Sequence, residues 1–158
     1  MTTAPSVPSV NRSITVAAPV ERAFRVFTES INSWWPSEYH IGAAEFAEAV
    51  LETREGGRWY ERGVDGSECT WGRVLTWEPP HRLVLTWQIN GEWQYDPDPA
   101  RASELELRFT AEGPEETRID LEHRHIDRLV GGEAMYGAVS GEGGWGWMLD
   151  RFAKAATG

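Results

Sequence analysis

Cysteine is nearly absent: Cys69 stands alone in 158 residues. A lone cysteine excludes an internal disulfide and leaves no thiol cluster to hold a metal, which suits a reducing cytoplasm. Positive charge is also scarce. Lys and Arg number 15 against 25 Asp and Glu, a formal net charge of −10, and no basic block interrupts the chain. Such a chain is a poor partner for nucleic acid, whose phosphates need clustered Lys and Arg, and for anionic membrane surfaces. No apolar run approaches the roughly 20 residues of a membrane-spanning helix. Met1 to Val10 lacks both a basic segment and an apolar core, so it does not read as a signal peptide. Internal repeats are missing too. The composition predicts one cytoplasmic domain over residues 11–158, preceded by a disordered tail at 1–10.

What the chain has in excess is tryptophan, at positions 34, 35, 59, 71, 77, 87, 93, 145 and 147. So much aromatic surface either fills a core or lines a hollow one.

Hydrophobic periodicity divides the chain into strands and few helices. Ser13–Ala17 alternates as a half-buried strand, and Val20, Ala23, Phe24 and Phe27 then recur at helical spacing after Pro19. Ile31, Trp34 and Trp35 fit one face of a second short helix that Pro36 ends. Strand patterns follow at 46–53, 58–62, 70–77, 82–89, 104–111 and 117–126. They are separated by turn signals such as Gly56-Gly57, Asp65-Gly66 and Gly113-Pro114. Asp96-Pro97-Asp98-Pro99 marks a longer loop. Six glycines between Gly131 and Gly144 lower the helix propensity there. The chain closes on Trp145, Met148, Leu149, Phe152 and Ala156, the stripe of an amphipathic helix.

Six consecutive antiparallel strands with one apolar face need a cover, and the final helix is the one long element that can supply it. The predicted architecture is α+β. A curved antiparallel sheet of about seven strands wraps around a long C-terminal helix, with two short helices after the first strand. A strongly curved sheet on a single helix leaves space between them, unless tryptophans fill it.

Several segments resemble a known family. They are Ile14 to Phe24, Gly56-Gly57-Arg58-Trp59, the run from Gly72 to Trp87, Thr117 to Arg124, and Gly144-Trp145 with Leu149. In this order they resemble the START-like superfamily (SRPBCC, Bet v I-like). Within it they are similar to the bacterial branch named after the activator of the ninety-kilodalton heat-shock protein ATPase. The resemblance implies the helix-grip fold and a pocket for small hydrophobic molecules, and it implies no particular reaction.

The expected ligand is therefore a small apolar or aromatic molecule held between sheet and helix by a carrier or sensor. Its expected contacts are Trp34, Trp35, Trp59, Trp71, Leu85, Trp87, Leu107, His123, Trp145, Met148 and Leu149. No catalytic residue, cofactor or metal is assigned, and the expected state is a monomer or weak homodimer. Two other readings stay open. A protein-interaction module of chaperone-cofactor type would show a broad exposed apolar patch. A cyclase- or hydrolase-like enzyme would use His123 as acid–base group in a reachable pocket. His123 and His125, two apart in one strand, are expected on one face. Arg58, Arg73 and Arg82 read either as an anion clamp or as outer-face charges with cross-strand partners.

Overall fold

The computed structural model describes residues 7–36, 39 and 41–157. The chain runs through β1 (Val10–Val16), α1 (Val20–Thr28), a 3-10 turn at Ile31–Ser33, β2 (Phe46–Leu51), β3 (Arg58–Gly63), β4 (Glu68–Glu78) and β5 (Arg82–Trp87). It continues through a 3-10 turn at Pro99–Arg101, β6 (Ser103–Gly113), β7 (Glu116–Arg124), a 3-10 turn at Ile126–Arg128, α2 (Gly132–Ser140) and α3 (Trp145–Thr157). All seven strands form one antiparallel sheet in the order β1-β7-β6-β5-β4-β3-β2. This is the helix-grip architecture: the concave face carries the core and α3 lies in its palm.

Curvature comes from the strands themselves. The register shifts between Phe46 and Glu48, Trp59 and Tyr60, Val74 and Thr76, and Ala111 and Gly113. Each irregularity bends its strand and increases the local twist. Gly72 marks a tight crossing of β4 and β5: a Cβ there would stand 2.0 Å from the Thr86 carbonyl oxygen.

Strand alternation then sorts the two faces. Leu105, Leu107 and Phe109 of β6 are buried on the concave face, Phe109 against Phe24 and Phe27 of α1, and so are Ile119, Leu121 and His123 of β7. On α3 the buried stripe is Trp145, Met148, Leu149, Phe152 and Ala156, the set that the periodicity predicts.

The convex face is held by charge. Glu106 accepts from Arg82 Nε at 2.7 Å, Arg108 Nε at 2.8 Å and Arg124 Nη1 at 2.5 Å. Arg124 also bonds Glu104 and Glu122, so one guanidinium ties together three carboxylates of adjacent strands. These arginines overcome the burial of Glu106 and hold its carboxyl down at about 2. Replacing Glu106 by Gln is expected to lower stability by about 2 kcal/mol at neutral pH, because it leaves arginines without their counter-charge. Solvation of Arg82 and Arg108 keeps the loss below that of a fully buried pair. Urea denaturation should show a lower midpoint at unchanged slope. A midpoint equal to that of the parent would mean the network adds nothing.

Three expectations need correcting, and a fourth lies largely outside the described residues. The second short helix is a single 3-10 turn, Ile31–Ser33. Residues 1–6 of the expected tail lie outside the described residues; Val7 is buried and Val10 already opens β1. The glycine-rich stretch does form a helix, α2, because Met135 and Val139 bury against the core and outweigh low propensity. His125 does not share a face with His123: β7 ends at Arg124, and His125 takes a left-handed conformation (φ 59°) with an exposed side chain.

Candidate functional site

The concave face is lined with indoles. Trp59 comes from β3, Trp71 from β4 and Trp87 from the end of β5. Trp35 follows the first 3-10 turn, and Trp145 opens α3. All five are buried. Trp35 is the hub, with ring centroids 5.3 Å from Trp59, 5.0 Å from Trp71, 6.5 Å from Trp87 and 6.4 Å from Trp145. Most of these contacts are edge-to-face or tilted, the arrangements aromatic quadrupoles favour. The indoles thus occupy the space between the sheet and the start of α3.

The other expected contacts fall around this cluster. Trp34 points toward the opposite end of the palm, against Phe27 and Phe152. Leu85, Leu107, Met148 and Leu149 are buried in the core.

His123 belongs to a directional chain. Trp145 Nε1 donates to its Nδ1 at 3.0 Å, so Nδ1 carries the lone pair and Nε2 carries the proton. Nε2–H then donates to Ser103 Oγ at 2.9 Å, and the Ser103 hydroxyl donates to the Trp87 carbonyl at 2.8 Å. Burial pushes the imidazolium form down to about 3. Both nitrogens are engaged and the ring is shut off from solvent, so His123 has neither proton nor lone pair for acid–base work.

A hollow of about 310 Å³ opens beside the cluster. Its lining is Ile41, Gly42, Ala43, Ala44, Glu61, Gly63, Ser67, Glu68 and Cys69. Glu61 is only 1% exposed, lies on the concave face of β3 with Trp59, and accepts on Oε1 from Ile41 N–H, Gly42 N–H and Trp71 Nε1–H at 2.5, 3.0 and 3.3 Å. It joins the hollow to the indoles. Cys69 pairs with Glu61 across the strands, and burial with the nearby carboxylate pushes its thiol up, away from nucleophilic thiolate.

A second aromatic group stands nearby. Tyr39 stacks on Trp93 of the β5–β6 loop at 5.7 Å and meets Trp147 of α3 edge-on at 5.9 Å. Trp93 is held at φ 61°, an uncommon conformation for a bulky residue.

Two polar atoms within the cluster are unsatisfied: Trp35 Nε1 and Trp59 Nε1 are buried with no hydrogen-bond partner. Elsewhere the indole donors are served, Trp34 by the Val26 carbonyl and Trp87 by that of Ile89.

The arginines considered as an anion clamp do not converge. Arg58 pairs with Glu52 and Glu68, Arg82 with Glu78 and Glu106, and Arg73 is exposed on the outer face. Glu61 and Ser103 are the polar residues that the sequence reading passed over. Strand parity held the signal for Glu61: it stands two residues from Trp59 and so shares its face.

Among the described residues no helix is long and apolar enough to cross a membrane. No curated protein matches the chain in sequence. Solved structures do. A protein described as an anthrahydroquino-γ-pyrone synthase, Txn09, is 41% identical over 97% of this chain and 99% of its own, with a TM-score of 0.68. CalC from Micromonospora echinospora, described as a self-sacrificing resistance protein, is 34% identical over 94% of each chain, with a TM-score of 0.70. CalU16 from the same organism is 29% identical over 94% of this chain and 75% of its own, with a TM-score of 0.61. Residues 17–157 match the family described as activator of Hsp90 ATPase homolog 1-like protein. The chain therefore belongs to that family, within the START-like superfamily.

Proposed function

We propose that the chain is a binding protein for a small, planar aromatic molecule, seated in the hollow beside the indole cluster. The observation that carries this reading is the pair of buried indole N–H groups, on Trp35 and Trp59, that find no acceptor. A buried donor without a partner costs about 1–3 kcal/mol. Edge-to-face neighbours offer it at most a weak π contact. A protein that packs six tryptophans into one core and satisfies Trp34, Trp71, Trp87 and Trp145 has left these two donors for something else.

Size and shape agree. A hollow of about 310 Å³ lies at the lower end of ligand pockets, which run from roughly 300 to 1,000 Å³. Glu61 connects the hollow to Trp71, and the rings of Trp35 and Trp59 pack on Trp71 in turn, with Trp87 and Trp145 beyond them. Trp34, Leu85, Leu107, His123, Met148 and Leu149 form the layer that keeps those rings in place. The similarity to a γ-pyrone synthase supports an aromatic, polyketide-like ligand.

A carrier, sensor or sequestering role fits better than catalysis, since His123 has no free nitrogen. The interaction-module reading has less support: among the described residues the exposed large apolar side chains, Val64, Leu75 and Val130, stand singly on three separate segments.

Anthraquinone added to the protein is expected to quench tryptophan emission saturably at micromolar concentration. It should also raise the melting temperature by several degrees, as binding to the native state must. No quenching and no thermal shift at its solubility limit would remove the reading.

A further inference from the structure

We propose that a second hollow, between α3 and the first 3-10 turn, binds an organic anion: a carboxylate carried on a flat apolar body. Arg151 and Lys154 would hold the carboxylate, and Trp147 would pack against the body. The two hollows share no lining residue, so this site stands whether or not the one beside Glu61 takes a ligand.

Trp147, Arg151, Lys154 and Ala155 recur at i, i+4, i+7 and i+8. They therefore share one face of α3, off the buried stripe that Trp145, Met148, Leu149, Phe152 and Ala156 form. Ser33 and Trp34 make the facing wall, and the open space between them is about 410 Å³. That volume lies within the range of small-molecule sites.

Charge sets this face apart. The chain is strongly acidic, and most arginines of the sheet are matched by carboxylates, as Arg58, Arg82 and Arg124 are. Lys154 is the only lysine in the sequence, and it stands one turn beyond Arg151. Among the described residues neither cation has an ion pair, not even with Asp150 on the same helix, and no carboxylate lines the hollow.

Arg151 is already oriented for a ligand with two oxygens. Its Nε–H donates to the Trp34 carbonyl at 2.8 Å, and its guanidinium lies over the Trp147 ring, 5.3 Å from the centroid. These contacts fix the plane of the fork, while neither Nη group has a hydrogen-bond partner among the described residues. A planar fork with free Nη–H groups matches a carboxylate end-on, and ordering it in advance lowers the entropy cost of binding. Lys154 adds a second positive charge on a flexible stem. Ser33 supplies no donor, because its hydroxyl donates to the Ser30 carbonyl.

The walls select the body of the ligand. A bare inorganic anion would meet the two cations and leave Trp147 and Ala155 facing water. A neutral aromatic molecule would cover those walls and leave both cations unanswered. Nucleic acid needs a basic stripe, and two cations fall far short of one. An aromatic carboxylate answers the cations and the walls together.

The experiment compares 2-naphthoate with its neutral counterpart 2-naphthamide on the full chain. Because Lys154 is the only lysine, reductive dimethylation with isotope-labelled formaldehyde keeps its charge and sets an NMR reporter at the site. The α-amino group gives the other signal and is told apart by its lower titration range. Naphthoate is expected to shift the Lys154 signal saturably. By calorimetry it should bind roughly tenfold more tightly than naphthamide at low ionic strength, the scale of a charge-assisted hydrogen bond. Added salt should shrink that preference, and so should Arg151→Gln and Lys154→Gln. A naphthoate titration that leaves the Lys154 signal in place would overturn the proposal. Equal affinities for the two probes in the parent, or a preference that survives in Lys154→Gln, would do the same. Lys154 is exposed and the parent comparison needs no variant, so the test holds even where Arg151→Gln weakens the fold.

Discussion

Lowering the pH from 6.5 to 4.5 is expected to remove about 2–3 kcal/mol of folding stability, and His123 is the cause. Its imidazole is fully buried and neutral, and burial holds its proton affinity down at about 3 against an ordinary 6.5. Below pH 6.5 the unfolded chain takes up a proton at this position that the folded chain refuses. Stability must then fall with pH, by close to 1.4 kcal/mol for each unit over which the difference is a full proton. The loss continues until the pH reaches about 3, where the folded form also protonates.

The carboxylates act in a lower window. Glu106, held at about 2 against an ordinary 4.5, supports the fold above pH 4.5 and loses that support as the pH falls through 2. Glu52, Glu68, Asp65 and Asp96 are likewise lowered by their hydrogen bonds, so their contributions also fade below their ordinary values of 4.5 or 3.8. Between 6.5 and 4.5 the slope therefore reports chiefly on His123. Glutamine in its place can accept from Trp145 and donate to Ser103 but cannot titrate. Denaturant unfolding of His123→Gln across this range should give a nearly flat stability, offset downward at neutral pH by an imperfect fit. A parent protein equally stable at both pH values, or a variant that keeps the slope, would show that His123 protonates freely in the folded state.

This behaviour explains why the histidine was harder to read than the fold. Two-residue alternation in 104–111 and 117–124 is enough to place Leu105, Leu107, Phe109, Ile119 and Leu121 on one face, and the order of turns specifies a meander. The stripe Trp145, Met148, Leu149, Phe152, Ala156 likewise names the buried side of α3. Parity also puts His123 inside.

What parity cannot supply is its partners. Ser103 lies 20 residues away and Trp145 lies 22 residues away, and they meet His123 only because β6 and β7 pair in one register and α3 begins above them. Extending the strand through His125 failed for a local reason, the left-handed turn that begins there. Glu61 escaped notice because a glutamate between Tyr60 and Arg62 looks solvated in the sequence. Its burial depends on Ile41 and Gly42 reaching over from a loop. Nor does counting tryptophans reveal whether they line a space or fill it. Side-chain contacts decide that, and in this protein the rings fill the palm and leave the hollow to one side.

The same contacts make Trp35 the residue whose truncation should matter most. Its ring meets five other tryptophans: 34, 59, 71, 87 and 145. Its N–H has no acceptor, so truncation forfeits packing and sacrifices no hydrogen bond. Trp35→Ala is expected to lower stability by roughly 3–5 kcal/mol, the range for large aromatic side chains removed from a core. That is a large share of the roughly 5–15 kcal/mol that holds a domain of this kind together.

The lost volume has the shape of an indole. Free indole should therefore occupy the vacancy and raise the melting temperature of the variant by several degrees, with little effect on the parent. Trp35→Phe should fall between the two. Trp145→Phe makes a useful contrast: it keeps most of the ring volume but strands the Nδ1 lone pair of His123, so its loss should resist rescue by added indole. A loss below about 1 kcal/mol in Trp35→Ala would mean that the neighbouring rings collapse into the gap. The palm would then be soft enough to admit a ligand directly, and the hollow beside Glu61 would serve as its mouth.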